Sequence, residues 1–282
     1  MNDHLPEDWL EWRAMAKAAS LAAGHLLRQQ WSRTRKVKRK GYRDYVTESD
    51  LAAQKTITDL IQQAYPEHGF LAEETDSNLP EEGDVLWIID PIDGTSNFSR
   101  SQPNFCVSVA AASKYNEQSI ASGGTAAQEP YQSVAAAVFD PMRDELFSAA
   151  RGAGATLNGR PIKVSVTHEL EEAIVGLDWS RHRAKRQAMI EALTGFGHHV
   201  HTIRAVGSAV LALAWIAAGR LDVYCNLGVG AWDVAAGALL IEEAGGSVSN
   251  LNDTRWQLGD VGCLASNGGL DPAFRKVAGW TV

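Results

Sequence analysis

The chain has 282 residues, enough for one large domain or two lobes around a sizeable core. Hydrophobic residues make up 45% and charged residues 21%, the balance of a globular protein, and a formal net charge of -8 argues against a nucleic-acid binder or a docker on anionic membranes. The acidic start MNDHLPEDWLEW lacks the layout of a secretory leader, no run approaches the roughly 18 apolar residues of a spanning helix, and Cys106, Cys225 and Cys263 are scattered outside any C-x-x-C pattern, which together point to reduced thiols in a cytoplasmic protein.

Trp9 to Trp31 is alanine-rich, with Leu10, Ala14, Ala18, Leu21 and Leu27 at helical spacings, and predicts a long amphipathic helix. The basic run RTRKVKRK, Arg33 to Lys40, reads as a solvated loop or edge strand. Nothing else in the chain supports a nucleic-acid patch, and Lys40 is the nearest candidate for a place beside an anionic substrate. A second helix starts at Ser49 or Asp50 and runs to Ala64, capped by Thr47 or Ser49 and ended by Pro66, with Leu51, Ile57, Leu60 and Ile61 inward. Val85 to Ile89 is a buried strand that Pro91 stops. Cys106 to Ala112, Ser133 to Phe139 and Glu145 to Ala150 pattern as strands of an antiparallel sheet. The small, polar segment Asn116 to Pro130 reads as a loop or hairpin tip, and Asn158 to Pro161 as a turn.

After about Val166 the pattern alternates. Strands are expected at Ala173 to Leu177, His199 to Ile203, Leu221 to Cys225, Ser247 to Ser249 and Cys263 to Ala265. Helices are expected at Lys185 to Leu193, Ser208 to Ala218 and Val234 to Glu243, which favours a mainly parallel sheet covered by helices. The expectation is an α+β fold in one domain over 1–282, with an α+β sub-lobe over about 1–165 and an α/β sub-lobe over about 166–282.

The stretch WIIDPIDGTSNF, Trp87 to Phe98, ends a buried strand on two acids, although a bare buried carboxylate costs several kcal/mol to desolvate. Asp90 sits at the strand mouth, Asp93-Gly94 makes a tight turn, and Thr95 caps or opens a helix whose free N–H groups can face an anion. Taken alone, D-x-x-D is explained by caps and turn hydrogen bonds. Upstream, LAEETD places Glu73 and Glu74 after a strand end. Downstream, in GAWDVAAGALLIEEAGG, Asp233 opens an apolar helix where an N-cap would explain it. Together the three sites offer the hard oxygen donors that Mg²⁺ requires, and two such ions can serve phosphoryl transfer. The eight histidines, with His198, His199 and His201 clustered, have no evident catalytic partner.

D-P-I-D-G-T after W-I-I, with A-E-E upstream and W-D-V-A-A-G-A downstream, resembles the inositol monophosphatase family. The resemblance runs from VTESD (Val46 to Asp50) through RAVGSA (Arg204 to Ala209) to EEAGG (Glu242 to Gly246), and it is weakest over Asn116 to Pro130 and at the termini. It implies a layered αβαβα sandwich, a homodimer and a lithium-sensitive, Mg²⁺-dependent hydrolase that releases inositol and phosphate with a metal-activated water. By the same resemblance, Glu73, Asp90 and the carbonyl of Ile92 hold one metal; Asp90, Asp93 and Asp233 hold a second; Glu73 helps hold a weaker third. Gly94 and Thr95 give backbone N–H groups to the phosphate, and Thr95, bonded to Asp50, orients the attacking water with Glu73.

The alcohol side departs from the pattern. Gly207, Ser208 and Ala209 match the family's substrate-side segment, and Asp93 can reach both metal and hydroxyl. Asn226 stands where inositol phosphatases carry a glutamate that contacts inositol hydroxyls. Losing that charge predicts a relaxed preference among polyol phosphates. Inositol monophosphate is the first expectation for this small-molecule phosphate monoester. The alternatives are the sister activities on fructose 1,6-bisphosphate, histidinol phosphate or nucleotide 3′-phosphate, and a non-catalytic scaffold. The retention of Glu73, Asp90, Asp93, Thr95 and Asp233 counts against the scaffold, since mutually repelling buried acids have no structural reason to persist.

Overall fold

Strand β4 (Val85–Asp93) is buried along its whole length and organises the first half of the chain. Its side chains alternate: Val85, Trp87 and Ile89 join one core, Leu86 and Ile88 another. A strand covered on both faces reads as a continuous apolar run, which is why VLWII carries no polar alternation. The computed structural model describes residues 6–33, 37–42, 44–75, 83–114 and 131–280. The expected loop at 116–130 and part of the basic run lie outside them.

Among the described residues β4 belongs to a seven-stranded sheet of order β3-β4-β5-β6-β7-β8-β9. The others are β3 (Gly69–Ala72), β5 (Cys106–Lys114), β6 (Tyr131–Asp140), β7 (Glu145–Ala150), β8 (Ala155–Leu157) and β9 (Arg160–Pro161). Only β3 and β4 run parallel; every other pairing is antiparallel. Helices α1 (Glu7–Gln30) and α2 (Glu48–Ala64) cover one face. Ahead of α2, β1 (Val37–Gly41) and β2 (Asp44–Thr47) pair as a hairpin whose first strand is exposed, so the basic run is an edge strand in its second part.

The second sheet holds β10 (Ile174–Leu177), β11 (Thr202–Arg204), β12 (Val223–Asn226), β13 (Ser247–Ser249) and β14 (Cys263–Ser266), in the order β11-β10-β12-β14-β13. It is mixed, not mainly parallel: β10 runs parallel to β11 and β12, while β14 is antiparallel to β12 and β13. Leaving β12, the chain passes through a helix and the edge strand β13 before β14 enters between them, reversed. Between the sheets lie α5 (Ala209–Ala217) and α6 (Ala231–Glu243), which are apolar nearly all round because both their faces are buried. They touch where Gly237 allows it: a Cβ there would come within 2.5 Å of the Leu213 side chain. The outer face of the second sheet is covered by α4 (Arg183–Phe196) and α7 (Asp271–Ala278), the latter not expected from the sequence. The layers are therefore αβαβα. No helix among the described residues is long and apolar enough to cross a membrane.

Two further expectations are corrected. In α2 the inward face is Ala53, Ile57 and Ile61, four residues apart, while Leu51 is 52% and Leu60 37% exposed. The packed stripe is narrower than the apolar content suggested. Nor does Pro91 stop β4. The strand continues to Asp93 across a bulge, because Asp90 pairs with Ser108 and Asp93 with Cys106, three steps against two. An extra residue leaves one position unpaired, which suits a proline that has no N–H to give.

Candidate active site

That bulge decides where the acids point. In a regular strand residues three apart face opposite sides. The extra residue between Asp90 and Asp93 offsets the alternation by one, and both carboxylates reach the same place. There they meet Asp233: one oxygen of each lies within 4.8 Å of the others. Asp90 and Asp93 are buried and Asp233 half-buried. Asp233 is not the N-cap of its helix. It sits in the first turn of α6, whose cap is Gly230, and accepts the Gly230 N–H at 2.6 Å.

Each acid has a different backing. Asp90 accepts from the Ile92 N–H at 3.0 Å. Asp93 spans to the start of α5, accepting the Ser208 hydroxyl, the Ala209 N–H at 3.2 Å and the Val210 N–H at 2.8 Å. It thus binds N–H groups that a helix start leaves without intrahelical partners. Glu73 follows β3. Its N–H extends the parallel ladder to the Ile89 carbonyl at 3.1 Å, which sets it beside Asp90. Its carboxylate stands outside the 4.8 Å group and lies 3.3 Å from Arg181 and 3.8 Å from Lys40. Lys40 makes its shorter contact, 2.7 Å, with Glu74.

The turn after Asp93 needs glycine twice over. Gly94 has φ 97°, and a Cβ there would lie 2.9 Å from the Asn104 carbonyl oxygen. As N-cap it lets Thr95 open the short helix α3 (Thr95–Ser99). The Thr95 hydroxyl is 3.1 Å from both Asp50 Oδ1 and the Ile92 carbonyl, and its single proton serves one of them at a time. Asp50 is buried in the capping box that starts α2, accepting the Thr47 N–H at 2.7 Å and the Thr47 hydroxyl at 2.5 Å.

Burial is the first cause of the electrostatics. It raises Asp90 well above the carboxylate range, with the charges of Glu73, Asp93 and Asp233 adding to it. Burial likewise lifts Asp93 to about 7 against its hydrogen bonds, the one from Ser208 foremost. Glu73 rises to about 7, through burial and then the Asp233 charge, with Lys40 opposing. Asp50 rises to about 6 by burial, with Thr47 opposing. Acids held this close and this dry favour a proton or a cation. The donors are all oxygen, a set that fits a hard divalent ion such as Mg²⁺ and not a thiolate-seeking metal. The three cysteines are buried, free thiols.

The acids line one side of a cavity of about 480 Å³. Thr95, Gly94, Ile92, Gly207, Ser208, Ala209 and Asn226 all line it too, so the sequence-predicted residues converge, with Asp50 behind Thr95. A further stretch of the lining was missed. It carries Asp178, Trp179, Arg181, His182 and Lys185, from the loop after β10 and the start of α4. The signal on offer was weak: GLDW sets an acid directly after a buried strand, a pattern common in any chain. Burial raises Asp178 to about 6, opposed by the hydrogen bond from the Gly207 N–H. His198, His199 and His201 are exposed and none of them lines the cavity, whereas His182 does.

A profile described as the inositol monophosphatase family matches residues 8–278. The chain is 39% identical over 236 residues to the Nus factor SuhB of Xylella fastidiosa, covering 83% of this chain and 79% of that protein. It is 35% identical over 272 residues to inositol monophosphatase 1 of Solanum lycopersicum, covering 94% and 93%. Among solved structures, the extragenic suppressor protein suhB of Bartonella henselae superposes with a TM-score of 0.84 at 31% identity, covering 94% and 97%.

Proposed function

The chain belongs to the inositol monophosphatase family, and on that premise we propose that it is a Mg²⁺-dependent phosphomonoesterase that cleaves inositol monophosphate to inositol and phosphate. The carrying observation is the bulge in β4, which brings Asp90 and Asp93 to one side and against Asp233. A fold with no cation to hold there would gain nothing from burying three repelling acids together.

In this reading Asp90, Asp93 and Asp233, with Glu73 and the Ile92 carbonyl, hold two to three Mg²⁺ ions. Bound there, Mg²⁺ supplies charge to the phosphate and the leaving oxygen and makes water a better nucleophile. The chain's own groups do the rest. The amides at the start of α3, Gly94 and Thr95 among them, face the phosphate because no helical carbonyl precedes them. With its proton on Asp50, the Thr95 hydroxyl keeps lone pairs to accept a hydrogen bond from the attacking water. Glu73 accepts from the same water. Gly207, Ser208, Ala209 and Asn226 form the wall that meets the alcohol. The same reading extends to Li⁺ inhibition at the Asp90/Asp93/Asp233 site, a cytoplasmic location and a homodimer.

Phosphate release from inositol 1-phosphate, fructose 1,6-bisphosphate, histidinol phosphate and 3′-phosphoadenosine 5′-phosphate, ranked by kcat/KM in Mg²⁺, tests the proposal. Inositol 1-phosphate should rank first. A different leader would replace the substrate, and no release from any of the four would overturn the enzyme reading.

A further inference from the structure

Asp178 and Asn226 stand at the ends of two neighbouring parallel strands, one step past the last ladder pair, Leu177 and Cys225. Both line the cavity. A relay joins them: the Asn226 amide nitrogen donates to the Tyr224 hydroxyl at 3.2 Å, and that hydroxyl donates to Asp178 Oδ2 at 3.2 Å. Asn226 Oδ1 already accepts the Gly228 N–H at 2.9 Å. Its amide keeps one N–H and one lone pair beyond these contacts, but it carries no charge. Asp178 Oδ1 accepts the Gly207 N–H at 2.8 Å, so each of its oxygens has one protein donor and keeps a lone pair for another.

The same carboxylate fixes the segment the substrate must touch. Asp178 holds Gly207 at one end of Gly207–Ala209, and Asp93 holds Ser208 and Ala209 at the other. The loop between the two acids is pinned in the cavity wall, with the metal-site acid on one side and Asp178 on the other.

Resting on the phosphatase reading, we infer that Asp178, not Asn226, reads the leaving alcohol: its carboxylate accepts hydrogen bonds from free hydroxyls flanking the phosphate ester. The substrate class is then a polyol phosphate with hydroxyls beside the ester. A hydrogen bond to a carboxylate is about twice as strong as one to a neutral amide, so the charge is the property that discriminates.

The test compares inositol 1-phosphate with cyclohexyl phosphate, which has the ring and the ester but no hydroxyls. Asp178→Asn is the informative variant, because its amide oxygen can still accept the Gly207 N–H while the charge is gone. KM for inositol 1-phosphate should rise about tenfold with kcat little changed, and the constants for cyclohexyl phosphate should not move. Tyr224→Phe removes the relay but leaves the charge, and should keep the preference for inositol 1-phosphate. Equal shifts for both substrates in Asp178→Asn would make Asp178 a prop for Gly207 and overturn the inference. If the wild type released phosphate from neither ester, the inositol-phosphate reading itself would fall, a result distinct from the first.

Discussion

Gly94 shows how a single residue sets the chemistry. Its backbone is left-handed, and its missing Cβ leaves room for the Asn104 carbonyl. Gly94→Ala should cost about 1–3 kcal/mol from the positive φ, and the clash adds to it. Because the turn aims Asp93 and Thr95, turnover should also drop about tenfold or more, read as kcat at saturating substrate. Unchanged kcat in a folded Gly94→Ala protein would show that the turn does not position the site. The need for this glycine was legible, since D-G after a strand signals a tight turn. Asp178 was not. A lone acid ahead of a tryptophan is common in any chain, and only the cavity distinguishes it from surface.

Among the elements, α5 and α6 both reach the acid cluster, α5 through the N–H groups bound to Asp93 and α6 through Asp233. Their approach depends on Gly237 beneath Leu213. Gly237→Val should destabilise by about 1–3 kcal/mol through overpacking and weaken Mg²⁺ binding as the helices part. Leu213→Ala alone should cost about 2–5 kcal/mol by leaving a cavity. Combined, they should fit each other and recover about 1 kcal/mol or more relative to the sum, measured by denaturant unfolding. Strict additivity would mean the two side chains do not share that space. Element types were largely readable because the buried helices and strands carry the right periods. The path of β4 past Pro91 was not readable, since a proline signals a stop unless a bulge absorbs it, and the bulge depends on the pairing with β5. The mixed second sheet escaped for a similar reason: strand direction is set by long-range pairing, not by local pattern.

For the whole molecule, the buried acids couple stability to pH and to metal. Glu73 and Asp93 rise to about 7, and Asp90 rises well above its usual value. Between their unfolded values, about 4, and about 7, the folded chain therefore holds protons that the unfolded chain has released. Stability of the metal-free protein falls as pH rises through that window, and Asp90, raised well above its usual value, carries the fall higher still. A divalent cation that binds only the folded cluster offsets this penalty in proportion to the ionised fraction. The most direct test is the melting temperature with and without saturating Mg²⁺ at about pH 5 and about pH 8, for the wild type and Asp233→Asn. The predicted result is a metal-free melting temperature lower at the higher pH, a Mg²⁺-induced rise larger there, and a rise blunted by Asp233→Asn. A melting temperature indifferent to Mg²⁺ at both pH values would contradict the claim that these acids converge to hold a metal.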